Sequence, residues 1–324
     1  MAETCERCLK EFDKLETFSY RVVCEEGTIN MDARYCSDCC NEIEGIHQEE
    51  KAEQVDEITK TYPECKVVVV DDLRTPGNHR VDGVEYLIHS IQDPNLIDRL
   101  KNEYSFDTIF HLANTPRVRR AIEFPAETID NNVTSTTAVC ELALYHGSHV
   151  FFAQSSSVQY DETQQNPYTL SKHFADQILL MYGHEYGVQV TNMFFYSVYG
   201  PREADYGPYS TVIRRFKQRI DMNEPLEIFG NGSKQRDFTH VSDVVQNMMR
   251  MLEDDDVLFG KTPDVHFGRG KPVSIIEVAK AFDHTFVHKF DLPGEAQKTH
   301  CKYSYGDYNC EVLDYITAWR RYVK

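Results

Sequence analysis

The chain has 324 residues, 41% of them hydrophobic, enough for a full core and about two domains. A formal net charge of -18 argues against a nucleic-acid binder, which needs a basic face, and against attraction to anionic membranes. No run approaches the roughly 20 apolar residues that cross a bilayer, and MAETCERCLKEF has no apolar signal-peptide core, so a cytoplasmic protein with reduced thiols is expected.

In chain order, the first feature is a cluster of cysteines: Cys5, Cys8, Cys24, Cys36, Cys39 and Cys40. Cys5/Cys8 and Cys36/Cys39 form two Cys-x-x-Cys knuckles, a set that can offer four thiolates to a structural zinc. Cys24 and Cys40 are alternative ligands, and reduced thiols or a redox pair are the other readings. Residues 1–48 therefore read as a zinc-ribbon-like module. The surrounding acidic residues favour a protein contact or a purely structural role over nucleic acid.

Residues 50–62 have the pattern of an amphipathic helix ending before Pro63. Lys66–Val70 is a β-branched run closed by Asp71 and Asp72 and predicts a buried parallel strand. Gly77, Asn78 and Gly83 mark loops. Residues 84–88 predict a strand, 95–104 a helix, 106–114 a strand running into a loop, and 126–146 a helix. HVFFAQ (149–154) is a buried strand, 168–186 a helix, 188–196 a strand and 213–221 a further helix. This alternation predicts an α/β fold with a doubly wound parallel sheet, Rossmann-like. Residues 49–200, with 237–262, would form that domain, and 201–324 a smaller substrate region.

Residues 155–172 read SSSVQYDETQQNPYTLSK. A serine cluster ends the strand, and Tyr168 and Lys172 follow at helical i, i+4 spacing, so that a phenol and an ammonium can meet. A phenol is a poor base near its ordinary pKa of about 10, and a neighbouring cation favours the phenolate. Ser156, Tyr168 and Lys172 together can take a proton from a sugar hydroxyl. The triple serine leaves Ser155 and Ser157 open as the participating hydroxyl.

Across about residues 50–290 the order of motifs resembles the extended short-chain dehydrogenase/reductase family, in particular its nucleotide-sugar epimerases and dehydratases. VVVVDDL resembles the second strand with its acidic ribose ligand at Asp71. FDTIFHLAN resembles a strand that sets His111, Leu112 and Ala113 beside the cofactor. DNNVTST resembles the asparagine-bearing helix, with Asn132 at the matching position. SSSVQY and YTLSK match the catalytic serine, tyrosine and lysine. YSVYGPRE, GPYSTVIRRF and EPLEIFGNGSKQRDFTHVSDVV resemble the sugar and nucleotide site, implying roles for Ser197, Phe229 and Arg236. The resemblance implies NAD as cofactor, a UDP- or dTDP-linked hexose as substrate, and a homodimer through helices 126–146 and 168–186. Independently of it, Arg236 could grip a diphosphate through a bidentate fork, the alternative being a surface pair with Asp237.

The front of the chain departs from that pattern. The glycine-rich pyrophosphate turn should fall near residues 43–51, where IEGIHQEEK has the single Gly45 and carries Glu44, Glu49 and Glu50. Ser90, Ser197 and Leu292 stand where an aspartate, an asparagine and an arginine are usual. Ser157 and Val158 occupy the positions of the dehydratases' acid–base pair, which selects a 4-epimerase passing through a transient 4-keto sugar. The alternatives are a catalytically impaired nucleotide-sugar-binding protein and a zinc-dependent interaction module with a vestigial sugar site. His111, His240 and His266 read as core or loop histidines, and Trp319 as the anchor of a C-terminal helix.

Overall fold

A computed structural model describes residues 65–73, 81, 84–160, 166–201, 210–291 and 295–322, short pieces of 57–61, and four strands nearer the N-terminus. Those four strands, Glu3–Thr4, Glu11–Phe12, Glu16–Cys24 and Gly27–Tyr35, form two antiparallel pairs, the longer running in register from Glu16↔Tyr35 to Cys24↔Gly27. Cys5, Cys8, Cys36 and Cys39 lie outside the described residues, as do Gly45 and Leu292 and most of the predicted helix 50–62.

The body is α/β. Strand β1 (Val68–Val70) pairs in parallel with β2 (Glu85–Leu87). Helix α1 (Pro94–Glu103) follows, started by Asp93, whose carboxylate accepts from Asn95 N–H. Next come β3 (Thr108–His111), α2 (Val118–Glu123), the long α3 (Pro125–His146), β4 (His149–Ser155), α4 (Pro167–Tyr186) and β5 (Val190–Phe195). Helices α3 and α4 both stop at glycines with positive φ, Gly147 and Gly187, which supply the left-handed cap that side chains resist. Helix α5 (Val212–Asp221), helix α6 (Val241–Met251) and strand β6 (Asp264–Phe267) complete the set that frames the site.

Strands β6, β5, β4 and β3 lie side by side in one parallel sheet. Side chains alternate across it. Phe152, fully buried, faces Val139, Cys140, Ala175 and Leu179 of α3 and α4. Its neighbour Phe151, also fully buried, faces Val244, Met248 and Met251 of α6 on the opposite side. That is the doubly wound arrangement. The β1–β2 pair is a separate two-stranded sheet, with no ladder to β3 among the described residues. It stays attached through packing, as Val68, Val70, Leu87, Ile109 and Leu142 share one apolar cluster.

The later part of the chain builds its own core from Ile213 and Phe216 of α5, Leu226, Ile228, Val278 and Phe282, closed by Val312 and Ile316 of the last helix, Val312–Tyr322. Trp319 anchors that helix edge-on to Phe282, with centroids 5.5 Å apart. No described helix is long and apolar enough to cross a membrane.

Candidate active site

The C-terminal ends of β3, β4 and β5, with the start of α4, open onto a cavity of about 760 Å³. Its walls include Asn114, Arg117, Ser155, Ser156, Tyr168, Lys172, Ser197, Arg215 and Arg236. Helix α4 begins where it does because Asn166 caps it, its side-chain oxygen accepting from Thr169 N–H at 2.9 Å, with Pro167 in the first turn. That cap fixes the rotation of the helix and brings Tyr168 and Lys172 to the cavity together.

Ser155, Ser156 and Ser157 all line the cavity, and the serine side chain that acts on the Tyr168 phenol, favouring its ionised form, is Ser155. Ser155 is the last residue of β4, whereas Ser156 opens a 3-10 turn (Ser156–Gln159) and is buried. Ser155 Oγ lies 2.9 Å from Ser157 Oγ, which accepts from Thr169 Oγ1 at 3.0 Å, and Asn166 Nδ2 donates to that same threonine oxygen at 3.0 Å. A chain of hydroxyls therefore leads from the phenol to the cap of α4.

Lys172 is held differently from the simple pairing that its spacing suggests. Its Nζ donates to Asn114 Oδ1 at 2.5 Å and to Ala153 O at 2.6 Å, and sits 4.6 Å from the centre of the Phe152 ring. Burial pulls the ammonium down to about 7. Tyr168 is raised above its ordinary value, first by burial; the Ser155 hydrogen bond and the Arg117 charge oppose that rise. Arg117, which the sequence reading did not single out, is thus a cation within electrostatic reach of the phenol.

Asn114 was also missed. Besides Lys172 it bonds Ser135 Oγ at 3.1 Å and lies 3.3 Å from His111 Nε2. His111 is buried, bonded to Thr136 Oγ1 at 3.0 Å and driven down to about 3 by burial and then by Lys172, so it is neutral. Asn132, fully buried, does not line the cavity. It accepts from Thr115 N–H at 2.6 Å and donates to Thr115 O at 3.2 Å and Ser171 Oγ at 2.8 Å, a brace between α3, the β3 loop and α4. Asp71, the residue after β1, is exposed, its carboxylate accepting from Leu73 N–H at 2.8 Å, and Ala113 is exposed beyond β3.

At the far wall Arg236 is committed within the chain. Its Nη1 donates to Gln235 O and Ala296 O, and its Nη2 to Glu295 at 3.0 Å. It pairs with Glu295, not Asp237; Asp237 instead accepts from Gly270 N–H at 2.9 Å and Cys301 N–H at 2.8 Å. Phe229 lies outside the cavity lining, with the Arg215 guanidinium 5.8 Å from its ring centre. Ser197 lines the cavity at φ 35, a left-handed backbone better suited to asparagine. Arg117 adopts φ 82, a region in which a non-glycine residue costs on the order of 1–3 kcal/mol and which clusters at functional sites.

The segment 295–301 roofs this wall. Gln235 bridges Lys298, Arg236 holds Glu295 and Ala296, Asp237 holds Cys301, and His300 N–H donates to Tyr160 Oη at 2.7 Å. His240 caps α6 through Nδ1, and His266 stacks on Phe194. No group of metal-ligating side chains exists among the described residues.

Residues 56–262 match the family model described as the NAD dependent epimerase/dehydratase family. A Methanocaldococcus jannaschii protein whose name provisionally makes it a UDP-glucose 4-epimerase is 28% identical over 71% of this chain and 76% of its own length. The UDP-glucuronate 4-epimerase of Thermodesulfobacterium geofontis is 30% identical over 46% of this chain, which spans about half (49%) of that relative. In structure, the UDP-glucose 4-epimerase of Thermotoga maritima with UDP-glucose superposes with a TM-score of 0.73 over 83% of this chain and 93% of its own, at 22% identity.

Proposed function

The chain belongs to the NAD dependent epimerase/dehydratase family, and from that premise we propose that it is a nucleotide-sugar 4-epimerase acting on a UDP- or dTDP-linked hexose. The observation that carries this reading is the convergence of Ser155, Tyr168 and Lys172 on one cavity with arginines at its walls. Ser156 and Ser157 follow the active serine, and neither can serve as the acid–base pair that loss of water requires.

In this reading Tyr168 takes the proton of the sugar C4 hydroxyl. Ser155 holds the same oxygen, and the Ser157–Thr169 hydroxyls stabilise the orientation of Ser155. Arg117 favours the phenolate against the cost of burial. The described residues fit NAD at two points. Asp71 offers an exposed carboxylate at the end of β1 for ribose hydroxyls. At the end of β3, the buried His111 Nδ1 has no hydrogen-bond partner among the described residues, beside Lys172 and Asn114. When bound, NAD supplies the acceptance and return of hydride at the sugar carbon.

The test is mass spectrometry of ligands released from freshly purified protein, together with turnover of UDP-hexoses by wild type and Tyr168→Phe. Epimer interconversion lost in the variant is the expected result. UDP-sugar binding with no interconversion and no NAD would establish instead the catalytically impaired binding protein. The observation favouring that second reading is the engagement of Lys172 by Asn114 and Ala153 rather than by the phenol. A structural zinc on Cys5, Cys8, Cys36 and Cys39 rests on their spacing, and metal analysis of the purified protein tests it. A homodimer through α3 and α4 is supported by their exposed Leu144, Tyr145, Phe174, Leu180 and Met181.

A further inference from the structure

Strand β4 outruns β3 at the cavity. β3 pairs with β4 from Thr108↔His149 to His111↔Phe152, while β5 stays paired with β4 as far as Ser155↔Phe195. Main-chain groups along a strand turn alternately to its two edges. His149 N–H donates to Asp107 O and Val150 N–H to Gln189 O, so His149, Phe151, Ala153 and Ser155 turn theirs toward β3. Ala153 and Ser155 therefore face an edge that β3 has already left.

Side chains complete that edge. Lys172 Nζ donates to Ala153 O at 2.6 Å, and Gln154 Oε1 accepts from Ser155 N–H at 2.8 Å. Gln154 is buried and shares the strand face of Phe152, two residues before it, which looks onto α4. There its Nε2 donates to Lys172 O at 3.4 Å. Burial raises the Asp176 carboxyl, one turn further along α4, and the side chains of Asn192 and Gln154 act against that rise by favouring its ionised form. Asp176 Oδ1 accepts from Asn192 Nδ2 at 3.0 Å, and the same nitrogen donates to Asp264 Oδ1 at 3.0 Å. One carboxamide thus joins the main chain of the serine to the main chain of the lysine. Reversed, it would set its oxygen against Lys172 O and the Asp176 carboxylate, so its orientation is fixed.

Resting on the nucleotide-sugar reading above, we propose that Gln154 is a positioning residue, which holds Ser155 in register with Tyr168 and Lys172 so that the three meet the sugar as one unit. Its effect belongs to the chemical step. A displacement of about 1 Å at a reacting group costs on the order of 100-fold in rate, whereas affinity for the nucleotide needs no such register.

The experiment measures kcat, KM and melting temperature of the full-length protein with UDP-glucose and with UDP-glucuronate. Gln154→Met keeps the length and loses the polar end, and should lower kcat by about 10- to 100-fold with little change in KM. Gln154→Glu keeps an oxygen for Ser155 N–H but sets a carboxylate against Lys172 O and Asp176. It should lose as much at pH 8 and regain activity relative to wild type at pH 6, as one of the two carboxyls takes a proton. The charged groups that bear on that proton are Asp176 with His173 on its own helix, Asp264 of β6, and Lys172 beside Ala153. Adding Asp176→Asn to Gln154→Glu exchanges donor and acceptor and keeps an oxygen for Asn192 Nδ2. The exchanged pair should raise kcat at pH 8 at least about fivefold over Gln154→Glu alone. A merely structural glutamine would lower the melting temperature and leave kcat of the folded protein unchanged. A kcat within about twofold of wild type in Gln154→Met, or an exchanged pair no more active than Gln154→Glu, overturns the inference. If Gln154→Met fails to fold, the two glutamate variants decide it. Wild type that interconverts neither sugar nucleotide overturns the nucleotide-sugar reading itself, and this inference with it.

Discussion

Two regions of the α/β body are built to different standards. Around α4, nearly every polar group has a designated partner: Asn132 braces three groups, Asn114 joins Lys172 to Ser135, and the hydroxyls of Ser155, Ser157 and Thr169 form an unbroken chain. At β1 and β2 the sheet, among the described residues, is a separate pair, and the acidic residue that the proposed reading gives to a ribose is exposed, its carboxylate accepting from Leu73 N–H of its own turn. Positional accuracy is concentrated where, in the proposed reaction, a proton moves. The remote end needs affinity only, and looser contacts suffice there.

The largest expected effect breaks the tight end chemically. Tyr168→Phe should lower turnover of a UDP-hexose by about 10³-fold or more, in the range of a lost general base, and leave the melting temperature within a few degrees. A variant with near-wild-type turnover would show that the phenol is not the base.

Next comes a structural break at the same end. Asn132→Ala leaves Thr115 N–H and O and Ser171 Oγ without their partner in a fully buried setting, which should cost about 3 kcal/mol in denaturant unfolding. A loss below about 0.5 kcal/mol would mean that water or a neighbour replaces it.

A third test uses pH. Lys172 is held at about 7 in the folded chain and would return to about 10.4 when unfolded. Between those values the unfolded state binds the additional proton, so this group makes stability rise with pH across about 7–10 and brings its full penalty below 7. Lys172→Met should flatten that slope in thermal unfolding at pH 7, 8, 9 and 10. An unchanged slope would place the ammonium in water.

The smallest effect sharpens the contrast at the loose end. Asp71→Asn should shift stability by no more than about 0.5 kcal/mol and weaken NAD binding by a few-fold, read by titration. A loss of a hundredfold would show that the β1 end is as specialised as the α4 end.

Much of this was legible in the sequence because it is local. The β-branched run ending at Asp71, the apolar HVFFAQ and the i, i+4 pair Tyr168/Lys172 declare strand, strand and helix face by period alone. Which serine meets the phenol was not legible. A one-residue step along a strand end reverses the side a hydroxyl faces, and three identical residues hide that step. The partners of Arg236 were hidden for another reason. Glu295 and Ala296 lie about 60 residues away in sequence, and nothing near Arg236 announces them. Arg117 and Asn114 gave no signal because their importance comes from the path of the loop after β3, including a backbone angle that arginine rarely adopts.

The roof formed by residues 295–301 carries a kinetic consequence. It is stitched to the body through Gln235, Arg236, Asp237 and Tyr160, and these attachments must yield together before that wall can part.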